Sequence, residues 1–214
     1  MGNEAVTTDL PDLYTMDEGI HKYRGIELPP TYLDQVLDPF LEDMSGGKVL
    51  DLGAGTCLIN PELEKRGLQG FFLDVSDQGI TNAKVANPDI IAVQADSVRL
   101  PFANEEFEAV HAKDVLVHIS NFAKLAEEIW RVLKPGGRVI LVSEEGSQDP
   151  DHHYYVVDQK KLEEALLRQG FEEILISSWI PRREEMKHDW YRRFFKLKRM
   201  VVSRMVIFAV KPTT

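Results

Sequence analysis

Three acidic residues stand at or near the ends of short apolar runs: Asp51 in "VLDLGAGT", Asp74 in "FFLDVS" and Asp96 in "IIAVQADS". Carboxylates so placed accept hydrogen bonds from a diol, an amine or the edge of a base, and they disfavour phosphate. Gly53 and Gly55 follow Asp51, and without side chains they let the backbone turn tightly and approach a ligand closely. A dinucleotide fingerprint needs a third glycine three residues further on, where this chain has Leu58. Asp74 lies about 20 residues past the glycines, the spacing at which an acid meets a ribose diol; its alternative is a turn former. Asp96 and Ser97 are placed to reach an adenine edge. Cys57 is either a low-pKa thiol near a helix start or a small packed core residue.

The elements that hold these residues follow from periodicity. "KVLDLG", "GFFLDV", "DIIAVQAD", "FEAVHAK" and "RVILVSE" read as buried strands, each bounded by Gly, Pro, Asp or Asn. After the glycine loop, "CLIN" begins a helix whose amides face the ligand. In "SNFAKLAEEIWRVLKPGG", Phe122, Leu125, Ile129, Val132 and Leu133 recur at helical spacing, and Pro135 with two glycines stops the run. "DQKKLEEALLRQGF" is a second helix, capped by Asp158 and ended by Gly170. "EEILISSWI" and "RMVIFAVKP" supply two final strands. Strands alternating with helices imply an α/β fold with a mostly parallel, doubly wound sheet, whose ligands bind beyond the carboxyl ends of the strands.

Composition narrows the class. The 214 residues suit one domain, and no segment reaches the roughly 18 apolar residues of a membrane helix. The start, "MGNEAVTTDL", lacks the basic flank and apolar core of a signal peptide, and a single cysteine fits a reducing compartment, so a cytoplasmic protein is expected. Twenty-five basic against 35 acidic residues give a net charge of −10, which opposes attachment to membranes or nucleic acid.

"VLDLGAGT", "LDVS", "ADSVRLPFANEEFEAV" and "RVLKPGGRVILV", in this order across residues 48 to 145, resemble the class I methyltransferases that use S-adenosylmethionine, especially the small-molecule type with a D-x-x-x-LPF signature. The resemblance implies a Rossmann-like sheet of seven strands, helices on both faces, with the seventh strand antiparallel beside the fifth. It implies S-adenosyl-L-methionine as cofactor, with Asp51, Gly53, Ala54 and Gly55 around its methionine part, Asp74 and Val75 at the ribose, Asp96 and Ser97 at the adenine, and Lys113 nearby. Cys57 departs from the family's usual glycine and Glu108 from its usual aspartate.

In such enzymes the protein aligns the acceptor and removes its proton. His118, in "HAKDVLVHI", stands where related enzymes often carry a histidine after the fourth strand and is the candidate general base for an O or N acceptor. Its alternative is a helix-end histidine bonded to a carbonyl. His111 falls inside the strand and reads as core. "SQDPDHHYY" crowds His152 and His153 on the ligand side. Adjacent histidines in an extended segment point oppositely, so substrate contact is expected there and no metal.

The expected organisation is one domain over 1–214, with a lid or cap over 1–45, a cofactor-binding core over 46–145 and a substrate-side part over 146–214. Tyr14, His21 and Tyr23 in the first segment are candidate substrate contacts. The insertion 182–204 carries nine Arg or Lys against three acids, interleaved with Trp190, Tyr191, Phe194 and Phe195, and reads as an amphipathic cover. The expectation is a methyltransferase for a small molecule, monomeric or a homodimer. The alternatives are a tRNA or protein acceptor, an intramolecular displacement within the cofactor, and a noncatalytic cofactor-binding protein.

Overall fold

The computed structural model describes residues 28–144, 157–179 and 204–213. The chain enters through helix α1, built of an α turn over Pro30–Tyr32, a π segment over Leu33–Leu37 and a second α turn over Asp38–Leu41. There follow β1 (Lys48–Leu52), α2 (Asn60–Lys65), β2 (Gln69–Asp74), α3 (Asp77–Ala86), β3 (Ile91–Gln94), β4 (Phe107–Lys113), α4 (Phe122–Val132), β5 (Leu133–Glu144), α5 (Gln159–Gln169), β6 (Glu172–Trp179) and β7 (Arg204–Val210). One seven-stranded sheet has the order β3-β2-β1-β4-β5-β7-β6. β1 to β5 pair in parallel, and β7 runs antiparallel to both β5 and β6. This is the expected Rossmann-like arrangement, with β7 beside β5.

Both faces of the sheet are covered, which is why β1 and β4 are apolar on alternate and on successive positions alike. On one face Leu50, Leu52, Val110, Ala112 and Leu141 pack against Leu125, Ile129 and Val132 of α4 and Leu162 and Leu166 of α5. On the other, Val49, Ala109, Ile140 and Val142 meet Tyr32, Val36, Leu37, Phe40 and Leu41 of α1, with Leu63 of α2 and Ala83 of α3. Three helix starts are capped by side chains: Ser76 Oγ accepts from Gly79 N–H at 3.1 Å and Asn121 Oδ1 from Lys124 N–H at 3.0 Å. Asp158 Oδ1 accepts from Lys161 N–H at 3.2 Å, and Gly170 ends α5 in the left-handed conformation, both as expected.

Two boundaries differ from the periodicity. Leu133 does not continue α4; it opens β5 and pairs with Phe107, so the strand runs through Pro135, Gly136 and Gly137. A register shift between Phe107 and Ala109 absorbs the irregular stretch, and Lys211 straps it: Gly136 N–H donates to Lys211 O at 2.9 Å and Lys211 N–H to Gly137 O at 2.8 Å. The π segment of α1 has a local cause. Pro39 has no N–H for the carbonyl one turn back, and just before it the Asp38 N–H bonds five residues back, to Leu33 O.

The "LPFANEEF" loop is clamped to α4. Glu128 accepts from Leu100 N–H at 2.7 Å and from the Arg131 guanidinium at 2.9 and 3.0 Å, and Arg131 donates to Leu100 O and Phe102 O. Phe102 meets Phe71 and Phe107 edge to face, which locks the loop from its other side. The hydrogen bonds from Arg131 hold the Glu128 carboxyl below its ordinary range, outweighing the upward push of burial. Its stabilisation is therefore present above the unfolded glutamate pKa and fades as pH falls through the lower folded value. Glu128→Ala is expected to cost about 1.5–3 kcal/mol in urea unfolding at neutral pH, the range for hydrogen bonds to charged groups, and the gap from wild type should close in acid. A gap that stays constant into acid would remove the ionised carboxylate from this account.

Candidate active site

The chain order reverses between β1 and β4, and the loops leaving their carboxyl ends touch. A Cβ on Gly53 would sit 2.6 Å from the Val115 side chain, so only glycine fits there. At Gly55 a Cβ would meet nothing within 4 Å among the described residues, so these leave the loop's outer edge open to a ligand. Asp74, at the end of β2, holds that edge in place: its Oδ2 accepts from Gly55 N–H at 2.8 Å and its Oδ1 from Ser76 N–H at 2.9 Å. Burial pushes the Asp74 carboxyl up, opposed by these amide bonds, and the nearby Asp51 charge pushes it further. Two carboxylates so close favour a ligand carrying positive charge.

Asp51 and His111 are direct partners in the β1–β4 register. Their side chains meet on the α1 face, with His111 Nδ1 at 2.6 Å from Asp51 Oδ1, and Tyr32 Oη of α1 lies 2.6 Å from His111 Nε2. All three are at most 4 % exposed. Composition and spacing gave no sign of this chain; His111 is indeed buried, yet it belongs to the site's polar framework. Tyr32 carries no such sign in the sequence either. The signal that finds both is the strand register, which places His111 opposite Asp51.

The remaining candidates distribute as follows. Val75 follows Asp74, its carbonyl accepting from Gln94 Nε2 at 3.0 Å, and Ala54 is held by its N–H to Leu73 O at 3.0 Å. Asp96 turns the chain after β3, with Oδ1 accepting from Val98 N–H at 3.0 Å, and Ser97 beside it is buried. The Lys113 ammonium pairs with Asp114 and lies 5.8 Å from the centre of the Tyr32 ring. Asp114 also pairs with Arg204 at the start of β7. Burial pushes the Asp114 carboxyl up, but the Arg204 and Lys113 charges outweigh it and hold it below its ordinary range. His118 ends a short 3₁₀ turn, Leu116–His118, after β4. Burial lowers its pKa, with Asp114 pulling the other way. Tyr14, His21, Tyr23, His152, His153 and the insertion up to residue 203 lie outside the described residues. Among the described residues no group of three or more His, Cys, Asp or Glu is arranged to hold a metal, and no helix is long and apolar enough to cross a membrane. Two cavities, of about 460 and 450 Å³, open at the opposite, amino-terminal end of the sheet and gather none of these residues.

The glycine loop departs from expectation in two respects. "CLIN" does not begin a helix: the chain turns through residues 55–59, and α2 spans only Asn60–Lys65. Cys57 adopts a left-handed conformation, φ 58°, which interrupts helical geometry where the family has glycine. Burial, then the Asp51 and Asp74 charges, push its thiol well above its ordinary range, so it stays protonated and is a packed residue rather than a nucleophile.

The open edge over Gly55 and the acids of three successive strands fit a ribose diol, an ammonium and a base, the groups of the cofactor implied by the sequence. Residues 50–141 match the family model described as "Methyltransferase domain". This stretch thus resembles a methyltransferase domain, and the strand order around it is that of the class I methyltransferase fold. The chain is similar to a demethylmenaquinone methyltransferase of Beutenbergia cavernae, 35% identical over 96 residues, covering 45% of this chain and 40% of the relative. A demethylmenaquinone methyltransferase of Mycobacterium marinum is 32% identical over 149 residues, 66% of this chain and 63% of the relative. The chain thus spans less than two thirds of the length of either relative. In fold, the chain resembles the phosphoethanolamine N-methyltransferase 2 of Haemonchus contortus in complex with phosphomonomethylethanolamine and S-adenosylhomocysteine, with a TM-score of 0.77 at 22% identity over 92% of this chain and 57% of that one.

A residue with a Cβ carries roughly 1–2 kcal/mol of strain in the left-handed region, and a β-branched residue more. Cys57→Gly is therefore expected to keep or raise stability, while Cys57→Val loses about 2 kcal/mol or more. Urea unfolding checks both, and a valine variant as stable as wild type would contradict the loop conformation.

Proposed function

We propose that this methyltransferase domain binds S-adenosyl-L-methionine and transfers its methyl group to an oxygen or nitrogen of a small-molecule acceptor, releasing S-adenosyl-L-homocysteine. The observation that carries the reading is the coincidence of the matched residues 50–141 with the loops that gather Asp51, Gly55, Asp74 and Asp96 at one end of the sheet. Each acid has lone pairs to spare for its part of the cofactor. Asp74 spends one per oxygen on backbone amides, and a carboxylate offers about four acceptor sites, so the ribose hydroxyls can still donate to it. Asp51 faces the ammonium, and Asp96 with Ser97 the adenine.

The bound cofactor supplies an electrophilic methyl on a cationic sulfur. Held by Asp51, Asp74, Asp96 and Ser97, it would present that methyl to the acceptor's lone pair and would leave as the neutral thioether. What the chain adds is alignment and a place for the acceptor's proton. His118 takes that role: burial lowers its pKa, so the imidazole is neutral and able to accept at neutral pH.

Incubation with the cofactor and a panel of acceptors, followed by mass analysis, tests the reading. Adenosylhomocysteine supports methyl transfer, whereas methylthioadenosine as product would replace it with the intramolecular route. Asp74→Ala is expected to weaken adenosylhomocysteine binding in calorimetry by about 1.5–3 kcal/mol, and unchanged affinity in a folded variant would remove the ribose contact.

His118→Asn is expected to keep that affinity and lower turnover roughly 10²–10⁴-fold. With the pKa lowered, the wild-type rate should rise with pH on the acid side of the ordinary histidine value and level off before neutrality. The variant should lack that limb. A variant with near-full turnover and the same profile would clear His118 of the role.

A further inference from the structure

Of the buried chain Tyr32–His111–Asp51, only Asp51 has a use so far described. One pair earlier in the same register and on the same face, Val49 lies opposite Ala109. An apolar pair at the next position would fill the space without desolvating a carboxylate, and replacing buried ionic groups by apolar ones is commonly neutral or stabilising. Packing alone therefore gives no reason for these residues. Burial, followed by the Asp51 and Asp114 charges, pushes the Tyr32 phenol upward, so it remains an O–H donor. It donates to His111 Nε2, which fixes the imidazole as the Nδ1–H tautomer, and Nδ1–H donates to Asp51 Oδ1. Asp51 Oδ2 has no hydrogen-bond partner among the described residues. One oxygen is thus clamped and the other left for the ligand, two residues before Gly53.

We infer that Tyr32 and His111 are positioning residues for the cofactor's amino-acid end: the relay aims the second oxygen of Asp51 at the ammonium of the bound cofactor. This rests on the cofactor reading above. The relay also ties α1 to the glycine loop, because the hydroxyl that sets the tautomer comes from a helix outside the matched residues 50–141. Tyr32 is itself held on three sides, by the Trp179 ring edge to face at 5.0 Å, by the Lys113 ammonium and by the sheet.

Calorimetry with two ligands tests the assignment: adenosylhomocysteine, which carries the amino acid, and methylthioadenosine, which lacks it. His111→Leu is expected to weaken adenosylhomocysteine about 10–100-fold, the range seen when outer partners of ligating groups in metal sites are removed, and to leave methylthioadenosine unchanged. His111→Asn, which keeps an N–H near the place of Nδ1, should restore most of the loss, and Tyr32→Phe should fall between. Equal losses for both ligands, or no loss for either, would overturn the proposal. Wild type that binds neither ligand would bring down the cofactor reading and this inference together, before any variant is made. Imidazole ¹⁵N spectra of the wild type give a measurement free of folding effects: a protonated Nδ1 on His111 that shifts with adenosylhomocysteine and not with methylthioadenosine is expected, and an Nε2–H tautomer refutes the relay.

Discussion

Strands β1 and β4 lie side by side in parallel although 54 residues separate their facing ends, Leu52 and Phe107, along the chain. Everything at the site depends on the register of that pair. It sets Asp51 opposite His111, brings the loop after β1 against Val115 in the loop after β4, and opens the crevice between them. A slip of one residue in either strand would turn its polar side chain to the α4 face, among Leu52, Ala112 and Leu125, and part Asp51 from His111. The penalty for stranding a carboxylate in that apolar layer is the physical force that pins the register.

The acids at this end of the sheet also set its electrostatic character. Asp51 and Asp74 act on each other across the glycine loop, while Asp114 is compensated by Lys113 and Arg204. Among the described residues, one side of the crevice thus carries carboxylates without a paired cation, while the other is neutralised. A cationic ligand and an uncharged or weakly charged acceptor suit that division. Two of the five non-glycine residues with positive φ among the described residues fall in the same region: Cys57 and Asp114, at 58° and 60°, one on each side of the crevice. Strain of this kind persists where surrounding contacts over-determine the backbone, and Asp114 has such contacts in its N–H to Val142 O at 2.8 Å and its two ion pairs.

Much of this was legible in the sequence because it is local. "FEAVHAK" is β4 to the residue, and the caps at Asp158 and Gly170 are where side-chain chemistry places them. The acids at strand ends were legible for the same reason. Other features are set by distant parts of the chain. Leu133 keeps the helical rhythm of α4, yet Phe107 recruits it into β5. Cys57 carries no mark of its left-handed turn. His111 shows the burial its strand predicts, but its partners come from 60 residues upstream and from α1, and no window of sequence contains that geometry.

The position of β7 has a consequence for how the molecule is made. Among the described residues β6 pairs with β7 and with no other strand, and β7 joins it to β5. On a ribosome, β6 emerges first and waits with its backbone groups facing water until the final described strand arrives to be inserted between two that are already synthesised. The sheet is therefore completed from within rather than extended at its margin. The arrival of β7 decides whether the preceding strand, including the Trp179 that packs on Tyr32, docks. Such late, long-range pairing is slow and leaves an unsatisfied strand exposed, so nascent chains arrested before Arg204 carry a surface that invites association with one another.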